Sequence, residues 1–293
     1  MPKLNSHFAS FLFAGLSLFI LNSCGNNTGE QPASTKDSAA TNDSKRIDSL
    51  TTEKKQSIEF KFATTEANLP APFQVVKDIT GFQATYKPEL LNPTTNVDYY
   101  VTTFKKEVNM GVYGIDLAYV NFYGQNQELL HYFVTIQKIA KDLNFDKVFD
   151  NFSERFKTNS GNKDSVVQIV DNVFEQSDAY LKKNEKYLGA SHILAGALIE
   201  INYLSLNMLK DTKKTPENGK FFDKVYEENL YIYHVIKLFE DYTDADSKAL
   251  LSSLKAYRKS YDERIKSAAD LTPENINKAV ALINGVRTSL VKK

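Results

Sequence analysis

Polar side chains capable of chemistry fall at helical spacing within two apolar stretches of this sequence. Five of them are candidates for ligand binding: Tyr113, Asp116, His192, Glu200 and Tyr203. A carboxylate or an imidazole on an apolar helix face is costly to bury unless it is hydrogen-bonded or paired. These residues therefore predict either polar groups satisfied inside a core or a buried ligand-binding site, and both interpretations stay open at this point.

The segment Gly111–Tyr119 is the most distinctive part of the chain. Gly111, Gly114 and Ala118 fall on one side of a helix, where each glycine costs about 1 kcal/mol relative to alanine. Close approach of a second helix is the usual compensation. Asp116 lies one helical turn from Tyr113 and from Tyr119, so the pattern sets a carboxylate among phenolic hydroxyls.

His192 and Glu200 lie in the apolar run 188–209. On a helix, His192 shares a stripe with Gly196 and Tyr203, and Glu200 lies about 80° away around the axis. The run is apolar almost all round, which predicts a central buried helix rather than a membrane span.

Glu128 and His131 have the Glu-x-x-His spacing of di-iron helices, which require a second such pair and two further carboxylates. The sequence contains no second pair, and both residues fall on the polar side of their helix with Lys138. We therefore predict no metal site and no cofactor. Phosphate-binding glycine loops and nucleophile elbows are also absent from the sequence, although a dispersed set of Ser, His and Asp residues stays open.

Apolar stripes at helical spacing dominate the chain after residue 91 and predict an all-α bundle of about seven to eight helices. Thr272 and Pro273 are typical of a helix N-terminus, with threonine as the cap and proline at the first helical position. Asp164 is a further candidate cap. Residues 58–62 alternate apolar and polar side chains and predict a short strand before the helices.

The N-terminus has the features of a signal peptide. Lys3 and His7 precede an uncharged apolar run, Phe8–Leu21, which is short for a transmembrane helix. The run meets a polar segment at Cys24, the single cysteine of the chain.

The residues Leu21-Asn22-Ser23-Cys24 resemble the lipobox of bacterial lipoproteins, with Asn22 where a smaller side chain is usual. This resemblance implies cleavage before Cys24, attachment of lipid to that cysteine, and outer-membrane sorting because Gly25 follows. We accordingly divide the chain into a signal peptide (1–23), a lipidated cysteine with a flexible polar tether (24–60) and a helical domain (61–293).

Charge and cysteine content exclude several classes of protein. The chain carries 36 basic and 36 acidic residues, and loss of residues 1–23 would leave a formal charge of −1. Neutrality and export both argue against a nucleic-acid partner. A single cysteine also excludes internal disulfides and Cys-ligated zinc.

The stretches 102–106 and Gly111–Tyr119, together with Gln125, resemble a family of exported all-helical lipoproteins from Gram-negative gut-type anaerobes. The resemblance implies an envelope location, periplasmic or surface-exposed, and a helical fold. It implies no activity.

These observations favour a lipid-anchored cell-envelope protein that is not an enzyme. Its helical domain would bind another envelope protein or a small ligand through a groove near residues 111–123. The alternative is a metal- or small-ligand-binding domain, with catalytic capacity, centred on His192, Glu200 and Asp116.

Overall fold

The computed structural model describes residues 52–70, 72–82, 85–159 and 161–292. The signal peptide, Cys24 and most of the tether lie outside these ranges. Within them the chain forms eleven α-helices: α1 Thr52–Ala67, α2 Pro72–Thr80, α3 Thr103–Phe122, α4 Asn126–Asp142, α5 Lys147–Asn159, α6 Lys163–Lys183, α7 Tyr187–Lys210, α8 Gly219–Leu230, α9 Ile232–Phe239, α10 Ala245–Asp262 and α11 Pro273–Val291. Three 3-10 helices span Pro88–Leu90, Thr94–Tyr99 and Ala268–Asp270. These ranges contain no strand, and the all-α prediction is confirmed.

The predicted strand at residues 58–62 is wrong, because this segment lies inside α1. Ile58 and Phe62 are buried while Phe60 between them is 72% exposed. Two buried residues four positions apart lie on the same face of a helix, so the alternation reflects one narrow apolar stripe. The helix begins at Thr52, and the helical domain therefore extends into the segment 24–60 that the sequence assigned to the tether.

The described chain has more helices than the seven or eight predicted. α1 and α2 precede the first predicted stripe, and α1 buries only Ile58, Phe62 and Thr65, so its amphipathic pattern is weak. The stripe 221–239 is divided into α8 and α9 at Tyr231.

The contact between α3 and α7 organises the domain, and it is the most extensive helix pairing in the described chain. Gly111 of α3 lies against the Ile193 carbonyl of α7, and Gly196 of α7 lies against the Val108 carbonyl of α3. A Cβ atom at either glycine would overlap that carbonyl oxygen. The predicted close helix approach is confirmed, and the two glycines bring the main chains together from both sides.

The prediction of a central buried helix at residues 188–209 is also confirmed. α7 is long and apolar enough to cross a membrane, the one such helix among the described residues, but 83% of its most apolar window is buried within the domain. α3 and α11 pack on it, α4 and α2 pack on α3, and α9 contacts both α1 and α10.

Helix caps follow the sequence with one exception. Thr272 caps α11 by accepting a hydrogen bond from the Asn275 N–H, with Pro273 at the first position as predicted. α6 is capped by Asn162 rather than Asp164, because the Asn162 side chain accepts from the Ser165 N–H and Asp164 already lies in the first turn.

Substitution of either crossing glycine tests this arrangement. Gly111→Ala and Gly196→Ala each place a methyl group on a main-chain carbonyl that cannot rotate away. We expect each variant to lower the free energy of unfolding by about 3 kcal/mol or more, measured by urea denaturation followed by circular dichroism.

The matched control is Gly285→Ala in α11, where an added Cβ meets no atom within 4 Å. Replacing a helical glycine by alanine in open space should raise the free energy of unfolding by about 0.5–1 kcal/mol. Equal stabilities for the three variants would show that α3 and α7 do not meet at Gly111 and Gly196.

Candidate functional site

The five predicted site residues lie on the two helices that cross at the glycines. α3 carries Tyr113 and Asp116, and α7 carries His192, Glu200 and Tyr203. The first four of these side chains are buried, and Tyr203 is partly buried. The crossing therefore places all of them at the centre of the domain, where each needs an internal partner.

Asp116 and Glu200 come together beside Arg287, which α11 supplies. Arg287 donates from Nε to Glu200 Oε2 at 2.6 Å and from Nη2 to Glu200 Oε1 at 2.8 Å, forming a bidentate ion pair. Its guanidinium carbon lies 4.0 Å from the centre of the Tyr203 ring. The Asn92 N–H donates to Asp116 Oδ2 at 3.1 Å. We call Asp116, Glu200 and Arg287 the acid–arginine cluster.

The acid–arginine cluster holds two carboxyl groups and one cation out of water. Burial raises the pKa of Asp116 well above its ordinary range and Glu200 raises it further, whereas Arg287 and the Asn92 N–H lower it. No donor of the described residues reaches Asp116 Oδ1. Burial lowers the pKa of Arg287, but the charge of Glu200 and its hydrogen bonds raise it more. The net effect favours the protonated form of Asp116, and the bidentate pair of Glu200 and Arg287 balances their two charges.

Tyr113 binds the segment that precedes α3 through a hydrogen bond to its main chain. Its hydroxyl donates to the Pro93 carbonyl at 2.9 Å, and the Tyr132 hydroxyl of α4 donates to the Asn92 carbonyl at 3.1 Å. The Asn92 amide in turn donates to the Tyr100 hydroxyl at 2.9 Å. Burial raises the pKa of Tyr113 above its ordinary value, so the phenol stays protonated. These contacts give Tyr113 a structural partner in the peptide backbone.

His192 belongs to a different group. Its Nδ1 atom lies 2.7 Å from Glu107 Oε2 of α3, and its Nε2 atom lies 2.9 Å from Ser247 Oγ of α10. All three residues are buried. The Phe104 ring meets the imidazole edge-on, with the ring centres 4.9 Å apart. We call Glu107, His192 and Ser247 the relay.

The acid–arginine cluster and the relay are separate. His192 and Glu200 are two helical turns apart on α7, a rise of about 12 Å. The side chain of His192 is bound by Glu107 and Ser247, while Glu200 is bound by Arg287. The structure thus brings Asp116 together with Glu200 and Tyr203 but not with His192. His192, Glu200 and Asp116 therefore do not form a single pocket.

The groove predicted near residues 111–123 is wrong, because residues 108–121 of α3 are buried throughout. Within this segment Gly111 lies against the Ile193 carbonyl of α7, so that side of α3 is covered by a helix. A small cavity of about 10 Å³ lies elsewhere, lined by Thr103, Glu107, Lys186 and Gly189 among others. That volume holds about one water molecule.

Sequence reasoning missed Arg287, Glu107 and Ser247. Arg287 interrupts the apolar stripe of α11 formed by Ile276, Val280, Ile283 and Leu290, all of which are buried. A charged residue in the middle of such a stripe is a signal that a buried partner exists. Ser247 similarly begins the buried stripe of α10. Glu107 stands beside charged neighbours and gives no comparable signal.

The di-iron spacing at Glu128 and His131 has another explanation. Glu128 accepts a hydrogen bond from the Tyr86 hydroxyl, and His131 is exposed. Among the described residues no group of three or more His, Cys, Asp or Glu side chains is placed to hold a metal ion.

No family model matches the chain, and neither a curated protein nor a solved structure matches it significantly.

The protonation of Asp116 predicts how stability depends on pH. Because the native pKa of Asp116 is raised, the folded chain keeps a proton that the unfolded chain loses above about pH 4. This contribution to stability is complete below about pH 4 and is lost as pH rises toward the native pKa. Asp116→Asn should remove the loss, because an amide has no titrating proton and can donate to Glu200.

We therefore expect the free energy of unfolding of Asp116→Asn, relative to that of the wild type, to increase as pH rises above 4. The increase should be up to about 1.4 kcal/mol per pH unit. Urea denaturation between pH 4 and 8 measures this gain. The exposed Asp223→Asn serves as the matched control. Parallel profiles for the wild type and Asp116→Asn would contradict a protonated Asp116.

Proposed function

We propose that this chain is a lipid-anchored cell-envelope protein whose helical domain binds another envelope protein. The anchor rests on the N-terminal sequence, where the apolar run Phe8–Leu21 leads into Leu21-Asn22-Ser23-Cys24 and then into a polar segment. The first described helix begins at Thr52. This arrangement supports a folded domain held at a distance from the membrane by a polar tether.

A surface on the domain supports the binding function. Val101 is 81% exposed, Val134 54% and Tyr99 47%, and these are three of the five large apolar side chains that are exposed among the described residues. Tyr99 ends the 3-10 helix Thr94–Tyr99, and Val101 lies two residues after it. We call these three residues the apolar edge.

The members of the apolar edge come from two elements that pack together. The 3-10 helix Thr94–Tyr99 contacts α4, and Lys138 of α4 forms an ion pair with Asp98. Val134 lies one turn before Lys138 on α4. Exposed apolar side chains beside a charged pair have the composition of a protein interface, with an apolar centre and a polar rim. A small ligand would instead require a concave pocket. Because the three side chains of the apolar edge are exposed, they support a protein as the partner.

The lipid anchor is tested by Cys24→Ala. Without the acylated cysteine the protein should move from the membrane fraction to the soluble periplasmic fraction, as measured by fractionation and immunoblotting. Ser23→Ala keeps a small residue before the cysteine and serves as the control that stays in the membrane. Continued membrane association of Cys24→Ala would mean that another segment holds the chain.

The partner is tested by a photoreactive amino acid placed at Val101 or Val134 in living cells. We expect both positions to crosslink the same envelope protein, which mass spectrometry would identify. The control position is Lys237, an exposed residue of α9, which should not crosslink that protein. Val134→Glu should reduce the yield from position 101 at least about tenfold, since a buried unpaired charge opposes association. Different proteins at the two positions, or equal yields from Lys237, would reject the apolar edge as the binding surface.

A further inference from the structure

The relay has a geometry that the proposed binding function does not use. Glu107 of α3, His192 of α7 and Ser247 of α10 form a chain in which a carboxylate contacts Nδ1 and a hydroxyl contacts Nε2, at 2.7 and 2.9 Å. Both distances are those of normal hydrogen bonds. The order carboxylate, imidazole, hydroxyl is the one that serine hydrolases use on several unrelated folds.

The tautomer of a neutral His192 follows from its two partners. An ionised Glu107 can only accept a hydrogen bond, so the imidazole proton stands on Nδ1. Nε2 is then a lone-pair acceptor for the Ser247 hydroxyl, which donates to it across 2.9 Å. This is the arrangement in which an imidazole can take the proton of a serine as its oxygen attacks an electrophile.

Ser247 also lies at the N-terminus of α10. Asp244 caps this helix by accepting a hydrogen bond from the Ser247 N–H at 2.9 Å, so Ser247 lies in the first turn. N–H groups of a first turn have no acceptor within the helix, and the helix dipole favours negative charge there. The Ser247 N–H is already bound by Asp244, so what this helix end offers a negative charge near Ser247 Oγ is the helix dipole.

Ser247 is buried, but it is close to the surface. Its neighbours Ala245, Asp246 and Lys248 are all exposed, so the turn of α10 that carries Ser247 lies at the surface of the described domain. First turns of helices open more readily than helix interiors. On the inner side the imidazole is flanked by Phe104 and Phe239, with ring centres 4.9 and 5.6 Å away. Both rings are buried, so an acyl group would contact apolar side chains there once the first turn of α10 opens.

We propose that Ser247 is a nucleophile for esters of apolar carboxylic acids, with His192 as its general base and Glu107 as the residue that positions His192. Ser247 Oγ forms a bond to the acyl carbon while its proton passes to Nε2 of His192. The bond between the acyl carbon and the alcohol oxygen breaks, and the alcohol leaves with the proton from Nε2. Water then attacks the acyl carbon while its proton passes to Nε2, the bond between that carbon and Oγ breaks, and Nε2 returns the proton to Oγ, which releases the acid and restores the serine.

The experiment uses the full-length protein extracted from membranes and a fluorophosphonate probe, which forms a stable bond to an activated serine. We expect one adduct, located on Ser247 by mass spectrometry. Ser247→Ala should lose it completely, and His192→Gln should slow its formation by about 10³-fold or more. Ser191→Ala is the matched control. Ser191, which lies on α7, is buried as Ser247 is, but its hydroxyl contacts the Tyr242 hydroxyl rather than His192.

Thermal melting of each variant separates loss of reactivity from loss of fold. Ser247→Cys gives a second readout that does not depend on the fluorophosphonate. The thiol of Ser247→Cys should react with iodoacetamide faster than the thiol of the double variant Ser247→Cys with Glu107→Gln. Absence of an adduct on Ser247 in the folded wild type would overturn the proposal, as would equal labelling of wild type and a folded His192→Gln.

Discussion

The close crossing of α3 and α7 is the constraint on which the rest of the domain depends. Two glycines on opposite helices, Gly111 and Gly196, let each backbone rest on a carbonyl of the other. Helices that approach this closely exclude water along the whole contact, so every polar side chain they carry must find a partner inside the protein. The partners come from helices packed around the pair.

Charge balance explains the composition of that interior. Burying two carboxyl groups with a single guanidinium leaves one charge too many, and retention of a proton by Asp116 is the least costly way to remove it. Glu200 and Arg287 then form a bidentate pair whose separation would leave an isolated buried ion. The acid–arginine cluster thereby joins α11 to the central helices and explains why polar residues stand in the most apolar segment of the chain.

The relay and the apolar edge give the domain two different capacities. The relay is enclosed, and its three residues come from three helices, α3, α7 and α10, so it exists only in the folded bundle. The apolar edge is a surface feature formed by a connecting segment and α4. A tethered envelope protein can present such an edge to a partner without using the relay, so the two proposals concern separate parts of the molecule.

The sequence by itself determined the helical class, the central position of residues 188–209 and the close helix approach at Gly111, because hydrophobic periodicity and glycine placement are local properties of the chain. It also identified Asp116 and Glu200 as groups in need of partners. It could not supply those partners. Arg287 lies 87 residues beyond Glu200, and Ser247 lies 55 residues beyond His192. Only the packing of helices distant in sequence decides which buried groups meet, and for that reason the tertiary structure alone divided the predicted site into the acid–arginine cluster and the relay.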